Sequence, residues 1–175
     1  DTNSQWLSTQ LGDLGIQVAF HTTIGDRLDD NVSAFQIAAQ RCDIVISSGG
    51  LGPTADDLTR EAISQAFDVP LEFRPEVMAH IEQLFAHRKR PMPERNRVQA
   101  MFPRGSRLID NQFGTAPGID FSVPCGKADA RLARIFALPG VPAEMFEMYT
   151  QVVKPRLVQE CGVGAEQWYY KNIRL

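Results

Sequence analysis

The sequence is poor in the residues that build disulfide frameworks and soft-metal sites: its 175 residues include three cysteines and three histidines. Cys42, Cys125 and Cys161 are odd in number, widely spaced and without a Cys-x-x-Cys pair, which argues for reduced thiols and against a zinc site. His80 and His87 stand two helical turns apart on an amphipathic stretch, the pattern of solvated or packed side chains, and His21 is remote from both in sequence. No apolar run reaches the length of a membrane span, and the first residues lack the basic-then-apolar layout of a signal peptide. Charge of one sign is lacking too. Lys and Arg total 18 against 21 Asp and Glu, and a net charge of -3 argues against a general nucleic-acid or membrane surface. With 43% hydrophobic and 22% charged residues the composition is that of one globular domain, for which a cytoplasmic location is expected.

What the sequence does have is concentrated between Ile44 and Ala62. Asp43-Ile44-Val45-Ile46 reads as a strand buried on both faces in the interior of a parallel sheet. Ser48, Gly49, Gly50, Leu51 and Gly52 follow as a glycine-rich turn whose backbone N–H groups a phosphate could approach. Thr54 and Asp57 have the spacing of a helix start, and Leu58, Ala62 and Ala66 continue it as an apolar face. The turn then lies at the carboxyl end of its strand, where open α/β sheets bind ligands. Asp56 and Asp57 have two readings, as acids capping a helix or as ligands of a divalent ion. Two carboxylates would repel a bare phosphate, so a bridging divalent cation would make the site work.

Along the rest of the chain, Asn3 or Ser4 is a candidate cap for a helix with Trp6, Leu7, Leu11 and Leu14 on one face and Gly15 at its end. Ile16, Val18 and Phe20 alternate as a strand that could extend through Ile24, and Gly25-Asp26 closes it. A second helix is expected from about Asp30 to Gln40 and another from Pro75. The run Arg88, Lys89, Arg90, Arg95, Arg97, Arg104 and Arg107 fits a solvated face and an anion-attracting rim equally well. Ile119–Val123 and Leu132–Ala137 predict an antiparallel hairpin around Pro124-Cys125-Gly126, with the loops Gly114–Gly118 and Leu138–Gly140 at one end. From Pro142 a helix is predicted with Met145, Phe146, Tyr149 and Val153 packed inward and a kink or break at Pro155. The alternation of elements predicts a three-layer α/β/α sandwich with a mostly parallel sheet and the hairpin added to it.

Ser48–Ala62, with Asp1-Thr-Asn-Ser4, Trp6-Leu7, Asn96–Ala100, Gly114–Gly118 and Leu138–Met145, resembles the molybdopterin-binding (MogA/MoaB-like) fold in the version found in the competence/damage-inducible CinA family. The segments occur in the family's order from the first residue to about residue 150. The resemblance implies one domain over 1–165, without the leading strand and Gly-x-Glu-Leu-Leu-like turn that family members place before the Asp-Thr-Asn-Ser segment, and the start of a following segment over 166–175. It also implies that Asp26 and Asp57 are the functional carboxylates, with Asp56 a third. Phosphate would be held by Ser48, Gly49, Gly50, Leu51, Gly52 and Thr54, with Gly114 and Thr115 contributing from the second loop.

The activity so implied is a metal-dependent pyrophosphatase acting on ADP-ribose to give AMP and ribose 5-phosphate. Asp26, Asp56 and Asp57 would hold Mg2+ or a transition metal. Two other readings stand beside it: a non-catalytic module binding molybdopterin or a nucleotide, and a structural domain of a larger CinA-type protein. The expected partners are a small anionic nucleotide-type ligand and further copies of the chain in a homo-oligomer, with neither nucleic acid nor membrane.

Overall fold

The computed structural model describes residues 2–124 and 131–162. Four strands form a sheet in the order β1 (Ile44–Ser48), β6 (Leu132–Leu138), β5 (Gly118–Pro124) and β4 (Arg107–Ile109). β1 runs parallel to β6, while β6 with β5 and β5 with β4 are antiparallel. The predicted hairpin therefore forms the middle of a mixed sheet, with its Pro124-Cys125-Gly126 turn reaching outside the described residues. A second, two-stranded sheet pairs β2 (Leu71–Phe73) with β3 (Met101–Pro103).

Period-two patterning in β6 creates the three layers. Ala133, Ile135 and Ala137 face one buried cluster, with Phe35 and Ala39 of α2 (Leu28–Arg41), Ala62 and Ile63 of α3 (Thr59–Ala66), and Val77 and Ile81 of α4 (Pro75–His87). Phe136 and Leu138 face the other, with Leu7 and Leu11 of α1 (Thr2–Asp13) and Met145 and Met148 of α5 (Pro142–Met148). Trp6 fastens α1 to this second layer by stacking on Phe146 at 4.2 Å and meeting Tyr149 edge-on at 5.4 Å. Past α5 the helix widens into a π turn over Tyr149–Val153 before α6 (Lys154–Glu160). Pro155, which can donate no backbone hydrogen bond, follows directly; the chain bends its hydrogen-bond ladder there without breaking the helix.

Three local expectations change in three dimensions. β1 is an edge strand and only half-buried, because its second edge has no partner among the described residues. Ile16–Ile24 forms no strand for the same reason: an extended chain becomes a strand only when a neighbour completes the ladder, although Ile16 and Val18 still pack on the α1 and α5 layer. Asn3 lies inside α1 and is not its cap, since its amide is drawn across to the end of β1. The Trp168–Tyr170 stretch lies outside the described residues.

On the α5 and α6 side of β5, Asp120 receives three guanidinium groups. Arg107, Arg134 and Arg156 each reach its Oδ2 at 2.7–2.8 Å, and Glu160 shares the first two. Arg156 also donates to the carbonyl of Leu108 at 3.1 Å, so one carboxylate ties β4, β5, β6 and α6 together. Removing it would leave Arg156 without a carboxylate partner among the described residues and Arg134, the most buried of the three, with Glu160 alone. Asp120→Ala is expected to cost about 3–5 kcal/mol in urea unfolding; a loss near zero would show that the arginines are carried by solvent instead.

Candidate functional site

The glycine turn is built by turning its carbonyls inward. At the end of β1, Ser48 is in register with Leu138, and the Gly49 amide donates to the Leu138 carbonyl at 2.9 Å. Gly49 and Gly50 then take φ values of 107° and 69°, a region that side chains with a Cβ rarely enter. The Gly49 carbonyl accepts the Thr59 hydroxyl at 2.9 Å, and the Gly50 carbonyl accepts the Thr59 amide at 3.1 Å. Leu51 and Gly52 point their carbonyls at the buried guanidinium of Arg60, and Gln99 adds a long contact to the Leu51 carbonyl at 3.5 Å. Every peptide here is trans, so each N–H points opposite to the carbonyl it shares a plane with. The amides of Gly50, Leu51 and Gly52 are consequently turned away from the start of α3.

Their fates differ. Gly50 and buried Leu51 donate to no described group, whereas Gly52 lies against the Asp57 carboxylate. That carboxylate also accepts the Thr54 amide at 2.9 Å and the Thr54 hydroxyl at 2.5 Å. Thr54 and Asp57 thus close a separate turn, and α3 begins five residues beyond Thr54, at Thr59. The expected helix cap is a loop clamp, because Asp57 reaches back to the glycine loop and Arg60 takes the space beneath it. Burial pulls the Asp57 carboxyl upward, but the Thr54 and Gly52 donors and the Arg60 charge outweigh it and hold the group below its ordinary value. Burial likewise depresses Arg60 to about 10, opposed by Asp57.

Outside this clamp lies an open groove of about 510 Å³ lined by Pro53, Thr54, Asp57, Glu61, Arg95 and Val98. Of the basic run, Arg95 alone lines it. Arg97 pairs with Glu94, Arg104 with Glu72 and Arg107 with Asp120, while Arg88 donates to the Phe113 carbonyl.

The second loop comes to the same end of the sheet because Gly118 opens β5 where Leu138 closes β6. Buried Asn111 shapes it: its amide donates to the Ala116 carbonyl at 2.9 Å and to Glu144 at 2.8 Å, and its oxygen accepts the amides of Phe113 and Gly114. The expected Gly114 donor is therefore already engaged, and Thr115 is half-buried beside it. Gly114 has no side chain because the Glu144 carboxylate fills the space a Cβ would need. Ser48 is engaged as well, donating to the Pro139 carbonyl at 3.2 Å and accepting from Asn3 at 2.9 Å.

Asp26 is not drawn into this arrangement. It is exposed, just past the segment that fails to become a strand, and no described hydrogen bond or ion pair holds it to the rim. Among the described residues no three His, Cys, Asp or Glu side chains are grouped to hold a metal ion, so Asp26, Asp56 and Asp57 do not assemble the expected set. Exposed Asp56 and half-buried Asp57 do not amount to a fitted divalent-ion site.

Residues 1–159 match the family described as "Probable molybdopterin binding domain". This chain belongs to that family. It is 44% identical over 159 residues to a CinA-like protein of Synechococcus elongatus, covering 91% of this chain and 36% of that one. A CinA-like protein of Gloeobacter violaceus is 40% identical over 174 residues, covering 99% and 39%. The chain thus spans less than half the length of these relatives. The crystal structure of CinA from Thermoplasma acidophilum superposes with a TM-score of 0.76 at 31% identity, covering 89% of this chain and 86% of that one. The tungsten cofactor synthesizing protein MoaB from Pyrococcus furiosus shares the fold, with a TM-score of 0.55 at 19% identity over 90% and 81% of the two chains.

The groups that shape the glycine loop were only partly readable from sequence. Asn3, Gln99 and Glu144 sit in segments that carry the family resemblance, but nothing local revealed their contacts; Asn111 had no sequence signal at all. A Cβ at Gly50 would overlap the Thr59 hydroxyl at a backbone angle that disfavours it, so Gly50→Ala is expected to cost roughly 1–3 kcal/mol in thermal unfolding. A neutral result would mean the loop is not held by Thr59. Asp57 titrates lower when folded, so its stabilisation is complete above its ordinary value of 3.8 and disappears as pH falls through the folded value. In urea titrations the advantage of the native chain over Asp57→Asn is expected to shrink below pH about 4; an advantage that grows with acid would contradict the clamp.

Proposed function

We propose that this domain binds a phosphate-bearing organic ligand of the pterin or nucleotide class, without necessarily altering it, against the glycine loop. The observation that carries the reading is the amide of half-buried Gly50, which has no described acceptor; the amide of the next residue, Leu51, likewise lacks one but is buried. Phosphate oxygens are suited to such donors. The buried Arg60 charge beneath the loop and Arg95 in the groove add positive potential. Membership of a molybdopterin-binding family supports the pterin half of the proposal. The nucleotide half, with the hydrolase-type activity of the second reading, comes from the resemblance to the CinA family described from the sequence.

Hydrolysis of ADP-ribose is the second reading, favoured by one ionised carboxylate, Asp57, at the edge of the groove. It would require a divalent ion, and no step through such an ion follows from the residues here. The role of a self-assembling domain in a longer protein is compatible with either reading. Amide spectra recorded with AMP, ADP-ribose and 6-hydroxymethylpterin phosphate test the proposal. The Gly50 and Leu51 resonances are expected to move most, with the ligand recovered intact. Release of AMP from ADP-ribose only when Mg2+ or Mn2+ is added would favour the hydrolase; unmoved Gly50 and Leu51 amides with all three probes would overturn the binding site.

A further inference from the structure

We propose that the guanidinium groups of Arg107 and Arg134 form a binding site for a phosphate dianion, free or carried by a small molecule, and that the Glu160 carboxylate is the resident occupant which that phosphate displaces. The inference is independent of the glycine loop and uses none of its residues. One Glu160 oxygen, Oε2, lies 2.8 Å from Arg107 Nη2 and 2.9 Å from Arg134 Nη2, and the other, Oε1, accepts Arg107 Nη1 at 3.2 Å. A carboxylate is therefore already held where two phosphate oxygens would sit. Behind it, buried Asp120 accepts from Arg107, Arg134 and Arg156, so the guanidinium planes are fixed from inside the protein whichever anion fills the front. The front is open to solvent, since the Arg107 and Glu160 side chains are 49% and 40% exposed.

The charges of this cluster do not balance with Glu160 in place. Arg107, Arg134 and Arg156 carry three positive charges against the two carboxylates of Asp120 and Glu160. Burial pulls the Asp120 carboxyl upward, with Arg107 foremost among the groups opposing it; bonded to three guanidinium groups, it is a carboxylate near neutral pH. The half-buried Cys161 thiol, which accepts Arg134 Nη1 at 3.6 Å, adds no charge, because burial and then the charges of Glu160 and Asp120 push it up. A dianion in place of Glu160 would cancel the remaining positive charge. Glu160 is also the last residue of α6, and the carbonyl end of a helix disfavours an anion. Both effects weaken the resident carboxylate against an incoming phosphate, while its tether to the chain favours it, so native binding is expected at phosphate concentrations on the order of millimolar.

A phosphate seated on Arg107 and Arg134 would cut the end of α6 loose from β4 and β6. The release stops there. Arg156 still holds α6 through Asp120 and the Leu108 carbonyl, and Leu157 is fully buried beneath it. The Cys161 amide, which donates to the Leu157 carbonyl at 3.2 Å, reports on that last turn.

The side-chain N–H resonances of Arg107 and Arg134, with hydrogen exchange at the Cys161 amide, read this site separately from the Gly50 amide. The native chain and Glu160→Gln are titrated with inorganic phosphate, glycerol 3-phosphate and methanesulfonate at about pH 8, where both phosphates are chiefly dianions, at ionic strength held constant with sodium chloride. Methanesulfonate offers three similar oxygens with a single charge. Both phosphates are expected to shift the two arginines saturably and to bind about fivefold or more tightly than methanesulfonate. In the native chain, exchange at Cys161 is expected to quicken about threefold at saturation. Glu160→Gln, which removes the competing charge from a half-exposed position, is expected to bind phosphate about tenfold more tightly. Preference for glycerol 3-phosphate would assign the site to a phosphate ester, and equal affinity would assign it to the phosphate group alone; either upholds the proposal. Methanesulfonate matching phosphate, phosphate affinity unchanged in Glu160→Gln, or shifts confined to the glycine loop would overturn it, the last leaving the glycine-loop reading intact.

Discussion

The buried guanidinium of Arg60 is the constraint on which the ligand end of this molecule depends. A cation taken out of water must find acceptors, and the nearest are the carbonyls of Leu51 and Gly52. Once those carbonyls face inward, planarity forces the intervening amide to face the other way. Thr59 does the same for Gly49 and Gly50 with its hydroxyl and amide. Asn96 supports the base of this arrangement by donating to Gln99 at 2.8 Å, which steadies the second group beneath Leu51. The donor surface is thus a by-product of how the loop satisfies its interior.

The same end of the sheet collects the other loops for a topological reason. β1 and β6 are parallel, so both finish there, and the antiparallel β5 begins there. Asn3 of α1 joins the two finishing strands by donating to Ser48 and to the Gly140 carbonyl, each at 2.9 Å. Away from this rim, the sheet is braced on its α6 side by the Asp120 arginines, where the burial of charge is compensated inside the protein. One side is rigid through ion pairing; the other retains amides with unfilled hydrogen-bonding capacity.

Much of the architecture was legible in the residues. Pro75 begins a helix and the Ile119 and Leu132 segments pair as a hairpin, because fixed φ and period-two burial are local properties. Ile16, Val18 and Phe20 carried an equally good alternation yet form no strand, since alternation describes faces and says nothing of who pairs with the edges. The Thr54 to Asp57 spacing misled in a related way. The bond from the Thr54 amide to Asp57 formed as expected of a cap, but the Thr54 hydroxyl donates to Asp57 where a cap would accept, and the helix starts later, where Thr59 meets Gly50.

The sequence by itself determined that the chain would turn sharply after β1, that backbone would be uncovered there, and that the layers would pack on a sheet. Glycine's freedom at positive φ and the apolar periods are written residue by residue. Only the tertiary structure decided which amides lack a described acceptor, that Asp57 clamps the loop, and that Asp26, Asp56 and Asp57 are not gathered into one metal-holding cluster. Hydrogen bonds are directional and largely exclusive, so the fate of each donor depends on partners tens of residues away, which no local pattern records.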